Sequence, residues 1–538
     1  MKAITISVLS FLIAPPLHAQ DATNKQLSKK IQLLQQQARE LQNELNQLQH
    51  QLLQQPTQKD ESAPGRTAKK HLIKPVKKHL TKPVTKHKKL REKSTSTFHS
   101  SNVYVHTLNG HPESVEFNPT ALLAEGKVVT FIGGTPVITA PYLGSRPAFS
   151  GSDYIVNISS INRDIRLMEQ RRQLYRAYQG MGYPTPNTPI IALSGKVEPI
   201  GSIGDSYTRD VTADWNLGSA ELDASSALNS TVQGYISLAY DPAPPSFSGQ
   251  RIANSTFGLG MGFVNIGNLD KSPYYFTAGQ LFVPFGRFSS AMISAPLTMI
   301  MGRTKARPFI LGYKSQGASG PFAAIYGFKG DTTLDNSGVG GVNIGYIYNT
   351  RYTAGEIGAS FISSIDNAGG LQANGARQGN FAGFASFVHG SEAVKTIPAA
   401  GVHGTLRFAS YNLTAEWVGS RTFRAQDLSF NGHGAQLQAL QLEAGKTFML
   451  FNRPSSFALG FQWSKEALAL RLPERRFSAL YNISIWKDTV ESLEYRRDLD
   501  YGLNQFANGS APPGVVNTNT IGTNQAANTV LAQIGVYF

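Results

Sequence analysis

The sequence predicts an all-β fold, a sixteen-stranded antiparallel transmembrane β-barrel, and three observations carry that prediction. The first is the last stretch, 529–538. Val530, Ala532, Ile534, Val536 and Phe538 share one face at period two, while Gln533 and Gly535 interrupt the other. A strand of about 9–11 residues, apolar outside and mixed inside, suits a wall with lipid on one side and a lumen on the other. The second is composition. No apolar run long enough for a membrane helix follows the N-terminus; Gly (51) and aromatics (10%) are plentiful and charged residues sparse (16%). A membrane chain without helices must close its sheet, because lipid cannot satisfy open backbone groups. The third is parity. Connections at Thr350, Ser410 and Asp488 are very short, and those at 242–254, 285–306, 364–399, 421–433 and 499–526 are long, the alternation expected of an even-numbered barrel.

Taken in order, residues 1–19 have the pattern of a secretory signal: Lys2, an apolar core from Ala3 to Ala14, and a cleavage site at Leu17-His18-Ala19. The chain has no cysteine, so it is no lipoprotein and uses no disulfides. In segment 20–56, Leu27, Ile31, Leu34, Ala38, Leu41, Leu45, Leu48 and Leu52 form an unbroken heptad seam. The seam is narrow and strict, which favours a self-associating coiled coil over a single amphipathic helix. Pro56 ends it. Segment 57–98 holds an eight-residue repeat at His71 and His79, rich in Lys and Pro, which reads as a disordered linker. Ten Lys and two Arg against Glu92 between Arg66 and Lys93 supply most of the net charge of +15. The excess belongs to this tail, so no nucleic-acid partner is expected. A solvated spacer and an attachment to an anionic polymer both fit the linker. Metal capture by His71, His79 and His87 is disfavoured by the neighbouring lysines, and no cofactor or metal is expected.

Segment 99–188 is mixed. Val128 to Ile138 is strand-like. A helix is expected within Asp153 to Gln179, with Ile158, Ile161, Ile165 and Met168 at helical spacing and Arg163, Arg166, Arg171, Arg172 and Arg176 making it basic. Whether it plugs the barrel or lies beneath it stays open. The barrel proper is expected over 189–538, with strands at 190–202, 217–224, 231–241, 255–266, 274–284, 307–315, 320–329, 338–349, 352–363, 400–409, 411–420, 434–446, 455–465, 475–486, 489–498 and 527–538. Tyr274, Tyr275, Tyr346, Tyr348, Trp417 and Tyr537 are candidates for aromatic girdles at the two interfaces.

No nucleophile elbow, metal-protease helix or phosphate loop is present, and no enzyme activity is expected. Glu356, Glu416, Glu443 and Glu494 alternate with Arg407 and Arg496 on lumenal positions and read as structural cross-lumen pairs. The informative connection is 285–306, whose middle, Ala291 to Met301, is apolar. An outer loop of that character would leave a costly apolar surface in water, so it is expected to fold inward and narrow the lumen. That places Arg287, Arg303, Lys305 and Arg307 at a constriction that favours anions, with Phe285 and Phe288 beside them. The other reading has these arginines only bracing lumenal carboxylates.

The stretch from Tyr275 to Arg287, continuing through Gly302-Arg303-Thr304, together with 155–162 and Val402-His403-Gly404, resembles the LbtU-type siderophore porins. The resemblance covers roughly 120–538. It implies an outer-membrane protein of an intracellular gammaproteobacterium that takes up a ferric siderophore without an energy-coupling partner. The terminal Phe538 resembles the signal that outer-membrane proteins present to their barrel-assembly machinery. The expected partners are therefore a ferric siderophore or other anionic small solute, outer-membrane lipid and that machinery, with the N-terminal arm in the periplasm. A general anion or solute porin, and an envelope-anchoring barrel whose arm binds peptidoglycan, are the alternatives.

Overall fold

The computed structural model describes residues 128–132, 135–139, 161–180, 190–240, 257–330, 337–350, 353–375, 395–425, 427–451, 453–486, 489–507 and 521–538. The expected signal segment (1–19), the heptad seam and the Lys-rich linker lie outside these residues.

Sixteen strands form the wall. They are β3 (Ile190–Asp205), β4 (Val211–Ala227), β5 (Val232–Tyr240), β6 (Phe257–Gly267), β7 (Tyr274–Phe282), β9 (Phe309–Lys314), β10 (Gly320–Lys329) and β11 (Gly338–Asn349). They continue with β12 (Thr353–Ile362), β13 (Ala399–Phe408), β14 (Tyr411–Ser420), β17 (Gln438–Leu450), β18 (Arg453–Lys465), β19 (Arg475–Ile483), β20 (Thr489–Leu499) and β21 (Ala526–Tyr537). Each pairs antiparallel with the next, and β21 pairs with β3 to close the ring. All sixteen fall where the sequence places them, most ends within three residues and the largest shifts in β4 and β17. β4 starts at Val211, before the alternation becomes readable. β17 starts at Gln438, because His433–Gly434 (β16) pairs with Ser429–Phe430 (β15) in a separate small hairpin.

Period two sorts the side chains as the pleat demands. Ile236, Leu311, Ile325, Ile344, Ile357 and Leu459 are exposed on the outside, whereas Ser237, Asn265, Asn343, Gln441 and Gln462 are buried inside. An apolar outer belt around a polar interior is the mark of a barrel built for hydrocarbon. In β21, Val530, Ile534, Val536 and Phe538 are exposed and Leu531, Gln533 and Tyr537 are buried.

The closing seam combines backbone and side-chain bonds. Phe538 N donates to Gly195 O at 2.9 Å, and Tyr537 Oη donates to Glu198 Oε1 at 2.7 Å. Lys196 Nζ holds the other oxygen of Glu198 at 2.8 Å. The ladder skips Ile534 and Gly535 opposite Pro199, which has no N–H to give. Facing the same bend, Gly218 has φ +66°, and a Cβ there would lie 2.3 Å from Glu198 O. Below the end of β21, the free edge of β3 is taken by a hairpin, β1 (Val128–Ile132) and β2 (Thr135–Thr139), with β2 parallel at Val137↔Ile191 to Thr139↔Leu193.

Two rims follow from the connectivity. The terminal rim carries the start of β3, the end of β21 and the short turns. The loop rim carries the long connections. There Ile365, Leu371, Phe423, Leu428, Phe430, Leu468, Leu470 and Tyr501 pack into one buried apolar cluster. Tyr501 Oη is 2.8 Å from Ser464 Oγ and accepts from Ala467 N at 3.0 Å; burial raises its phenol above the ordinary range.

Candidate functional site

A sixteen-stranded barrel encloses a channel unless something fills it. Here two segments enter it, one from each rim.

From the loop rim comes residues 283–308. The turn inward is made at Gly286, where φ is +70° and a Cβ would lie 2.3 Å from the Phe288 ring. The next residues lie along the wall from β12 to β20. Gly286 N donates to Ser360 Oγ at 2.9 Å. Arg287 N and Phe288 N donate to the two oxygens of Glu416, both at 2.6 Å. Ser290 Oγ and Ala291 N donate to Glu443 at 2.6 and 2.9 Å. Ser294 gives its N–H at 2.9 Å, and its hydroxyl, to Glu494. Leu297 N donates to Gln462 Oε1 at 2.8 Å, at the start of a short helix, α2 (Leu297–Gly302). Arg476 Nη1, itself paired with Asp498, donates to Ala295 O at 3.1 Å. Apart from Ser290 Oγ, which accepts from Met292 N at 3.1 Å, the wall supplies most of the acceptors for the loop's buried backbone donors. Leu297 and Met301 are fully buried, and α2 is covered by a second helix, α3 (Gly369–Gly375), through Gly369 N donating to Arg303 O at 3.0 Å.

From the terminal rim comes the helix α1 (Arg163–Gly180). Its first half enters the barrel: the described side chains contact inward groups of β4 to β9 and the turns below them. Arg163 donates to Tyr235 Oη and stands 3.6 Å from Glu221 and 3.9 Å from Asp223. Tyr235 in turn donates to Asp223. Asp164 accepts from Thr277 Oγ1 at 3.0 Å, its carbonyl accepts from Asn265 Nδ2 at 3.1 Å, and burial raises its carboxyl above the ordinary range. Glu169 bridges Lys314 at 2.8 Å and Arg172 at 2.6 Å. Arg171 donates to Gly267 O at 2.6 Å. Ile161, Ile165, Leu167 and Met168 are buried with Tyr235, Met261, Phe263 and Tyr275.

The two segments meet at Arg287. Its Nε lies 2.9 Å from Glu356 Oε1, and its Nη1 donates to Ile161 O at 3.5 Å. His403 Nε2 lies 3.2 Å from the same Glu356 oxygen.

Of the sequence-derived site residues, Arg287, Phe285 and Phe288 are buried inside the barrel. Arg303 is half-buried with its guanidinium 4.5 Å over the Phe282 ring, and that burial lowers it to about 10, so it stays cationic at neutral pH. Lys305 and Arg307 are exposed. Lys305 pairs with Phe282 in the two-residue strand β8 (Lys305–Ala306), on the face opposite buried Leu281. Arg287 is thus engaged by Glu356 and Arg303 by the Phe282 ring, while Lys305 and Arg307 keep exposed side chains. Glu416, Glu443 and Glu494 hold the loop, and Arg496 stands 3.2 Å from Asp498. Tyr274 and Tyr346 are exposed on the outer face, whereas Tyr275 and Tyr537 are buried inside and belong to no girdle. Asp223, Tyr235 and Glu169 had no role in the sequence reading, and Arg163 entered it only as one of the arginines that make the helix basic. The available signal was an arginine-rich helix facing acids on β4. Phe538 closes the seam, and the coiled-coil positions lie outside the described residues.

No protein-family model matches the chain. A UPF0422 protein of Legionella pneumophila (strain Philadelphia 1) is 61% identical over 445 residues, 82% of this chain and 84% of that protein. A UPF0422 protein of Coxiella burnetii is 35% identical over 404 residues, 74% of this chain and 83% of that protein. Among solved structures, an anion-selective porin from Comamonas acidovorans aligns with 65% of this chain and 100% of its own, at 10% identity and a TM-score of 0.42. The outer membrane channel DcaP of Acinetobacter baumannii aligns with 66% of this chain and 99% of its own, at 14% identity and a TM-score of 0.40. At those scores the barrel stands on its own closed pairing.

Proposed function

The chain belongs to the UPF0422 family, and we propose that it is a channel of the bacterial outer membrane that admits one class of solute, a ferric siderophore, past a filled lumen. The observation that carries this reading is the loop 283–308 laid along the inner wall on Glu416, Glu443 and Glu494. A general diffusion pore needs an open bore. A barrel that buries a loop and a helix together is arranged for selection. The apolar belt and polar interior support the membrane setting, and the short turns support a periplasmic terminal rim, with the N-terminal arm on that side. The resemblance of 275–287 and 302–304 to LbtU-type proteins supports the siderophore as solute.

The test is growth of a deletion strain with a ferric siderophore as sole iron source. Restoration by the intact gene and not by a chain lacking 287–302 is expected. Growth of the deletion strain at the parental rate overturns the siderophore. Unsaturable uptake of unrelated small anions by the purified protein in vesicles establishes a general anion porin in its place.

A further inference from the structure

We propose that Glu356, Arg287 and His403 form a proton-operated latch that ties the constriction loop to the plug helix. The inference rests on the lumen being a solute path, and goes beyond it by assigning a control.

Arg287 connects loop, wall and plug. Its backbone N is held by Glu416 on β14 at 2.6 Å, its Nε by Glu356 on β12 at 2.9 Å, and its Nη1 reaches Ile161 O, just ahead of α1. His403 on β13 lies between those two acids: it is the cross-strand partner of Glu416 and touches the Glu356 oxygen that Arg287 uses. Its side chain is 2% exposed. Among the described residues, neither His403 Nδ1 nor His403 Nε2 nor Glu356 Oε1 makes a hydrogen bond, so the contacts at Glu356 Oε1 are ion-pair approaches.

The charged groups around the imidazole are Glu356 from β12, Glu416 from β14 and Arg287 from the loop. Arg407 stands further along β13, Lys314 on β9 acts on Glu356 from farther away, and Asp164 sits at the start of α1. With a neutral imidazole, Arg287 is the cation in contact with Glu356. A proton on His403 gives Glu356 a second cation and places a like charge beside Arg287. The like charges of the ring and Arg287 repel, and the repulsion is relieved when Arg287 withdraws. By linkage, the state that binds the proton more tightly is the one acid populates. A proton delivered to His403 therefore releases Arg287, and with it the tie between loop and helix. Asp164 pulls the other way, because burial favours its protonated form in the docked helix.

The experiment is single-channel conductance of the full chain in planar bilayers at about pH 7.5 and 5.5. Open probability is expected to rise about fivefold on acidification, inside the tenfold per pH unit that one proton can supply. His403→Gln, which cannot take the proton, should lose that rise, and Arg287→Ala should be open at both pH values. Because the chain has no cysteine, Asp164→Cys with Thr277→Cys gives a clean cross-link. The oxidised protein should ignore acid, and reduction should restore the response. If His403→Gln and the folded, heat-modifiable His403→Asn both keep the wild-type acid response, the latch is overturned while the channel stands. If neither wild type nor Arg287→Ala conducts at any pH, the channel and the latch fall together.

Discussion

Residues 288–302 bring no charge into the lumen and are held by carboxylates of the wall, whereas α1 brings Arg163, Arg171, Arg172 and Glu169 and spends them on wall groups. The difference lies in where the information sits. The loop is fixed by backbone N–H groups meeting Glu416, Glu443 and Glu494, so its path is written in the wall. The helix is fixed by its own side chains, so its position is written in the plug. Charge-assisted bonds of either kind are worth about 1.5–3 kcal/mol each when buried. They fail differently: a lost wall acid orphans backbone donors, and a lost helix cation leaves carboxylates buried together.

The largest effect is expected from Arg163→Met. Glu221 and Asp223 would then face each other without their cation, a change that costs about 3–5 kcal/mol in buried pairs. The expected result is a plug that leaves the lumen, read as protease cleavage near 163–180 in protein that remains heat-modifiable. Protection equal to wild type would break the claim that the helix carries its own anchoring. Glu416→Ala comes next. Two buried N–H donors at 287 and 288 lose their acceptor, at about 1–3 kcal/mol each, and conductance should rise several-fold with a lower melting temperature. Glu416→Gln keeps one acceptor and should recover about half of the loss.

Ser294→Ala removes one hydroxyl donor from Glu494 and leaves the backbone donor in place. About 1 kcal/mol is expected, visible as a small drop in thermal stability with conductance near wild type. The smallest effect concerns the rim cations. Arg303→Ala with Arg307→Ala should leave the reversal potential under a salt gradient almost unchanged, because Arg303 lies over the Phe282 ring and Arg307 is exposed. A clear shift toward cations would restore the four-residue basic ring.

How far the chain could be read depended on the range of the interaction. The sixteen strands were legible, since period-two alternation is local and survives in β10, β12 and β21 without knowledge of the neighbours. The inward loop was legible too, from an apolar run placed where water would otherwise be. Its acceptors were not. Glu416, Glu443 and Glu494 lie 128–200 residues beyond the groups they hold, and sequence spacing suggested arginines as their partners. The girdle tyrosines divided for a local reason: Tyr274 and Tyr275 are neighbours, and the pleat sends one out and one in.

The sequence by itself determined the barrel, its strand number, the loop that would turn inward and the basic helix ahead of β3. These follow from periodicity, turn spacing and the cost of exposing apolar surface, all short-range properties. Only the tertiary structure decided that the helix enters the lumen, and that the loop rests on acids. It alone brought Arg287, Glu356 and His403 together. Closing sixteen strands into a ring brings distant residues within hydrogen-bond reach, and which donors meet which acceptors there is set by the register of the closed wall.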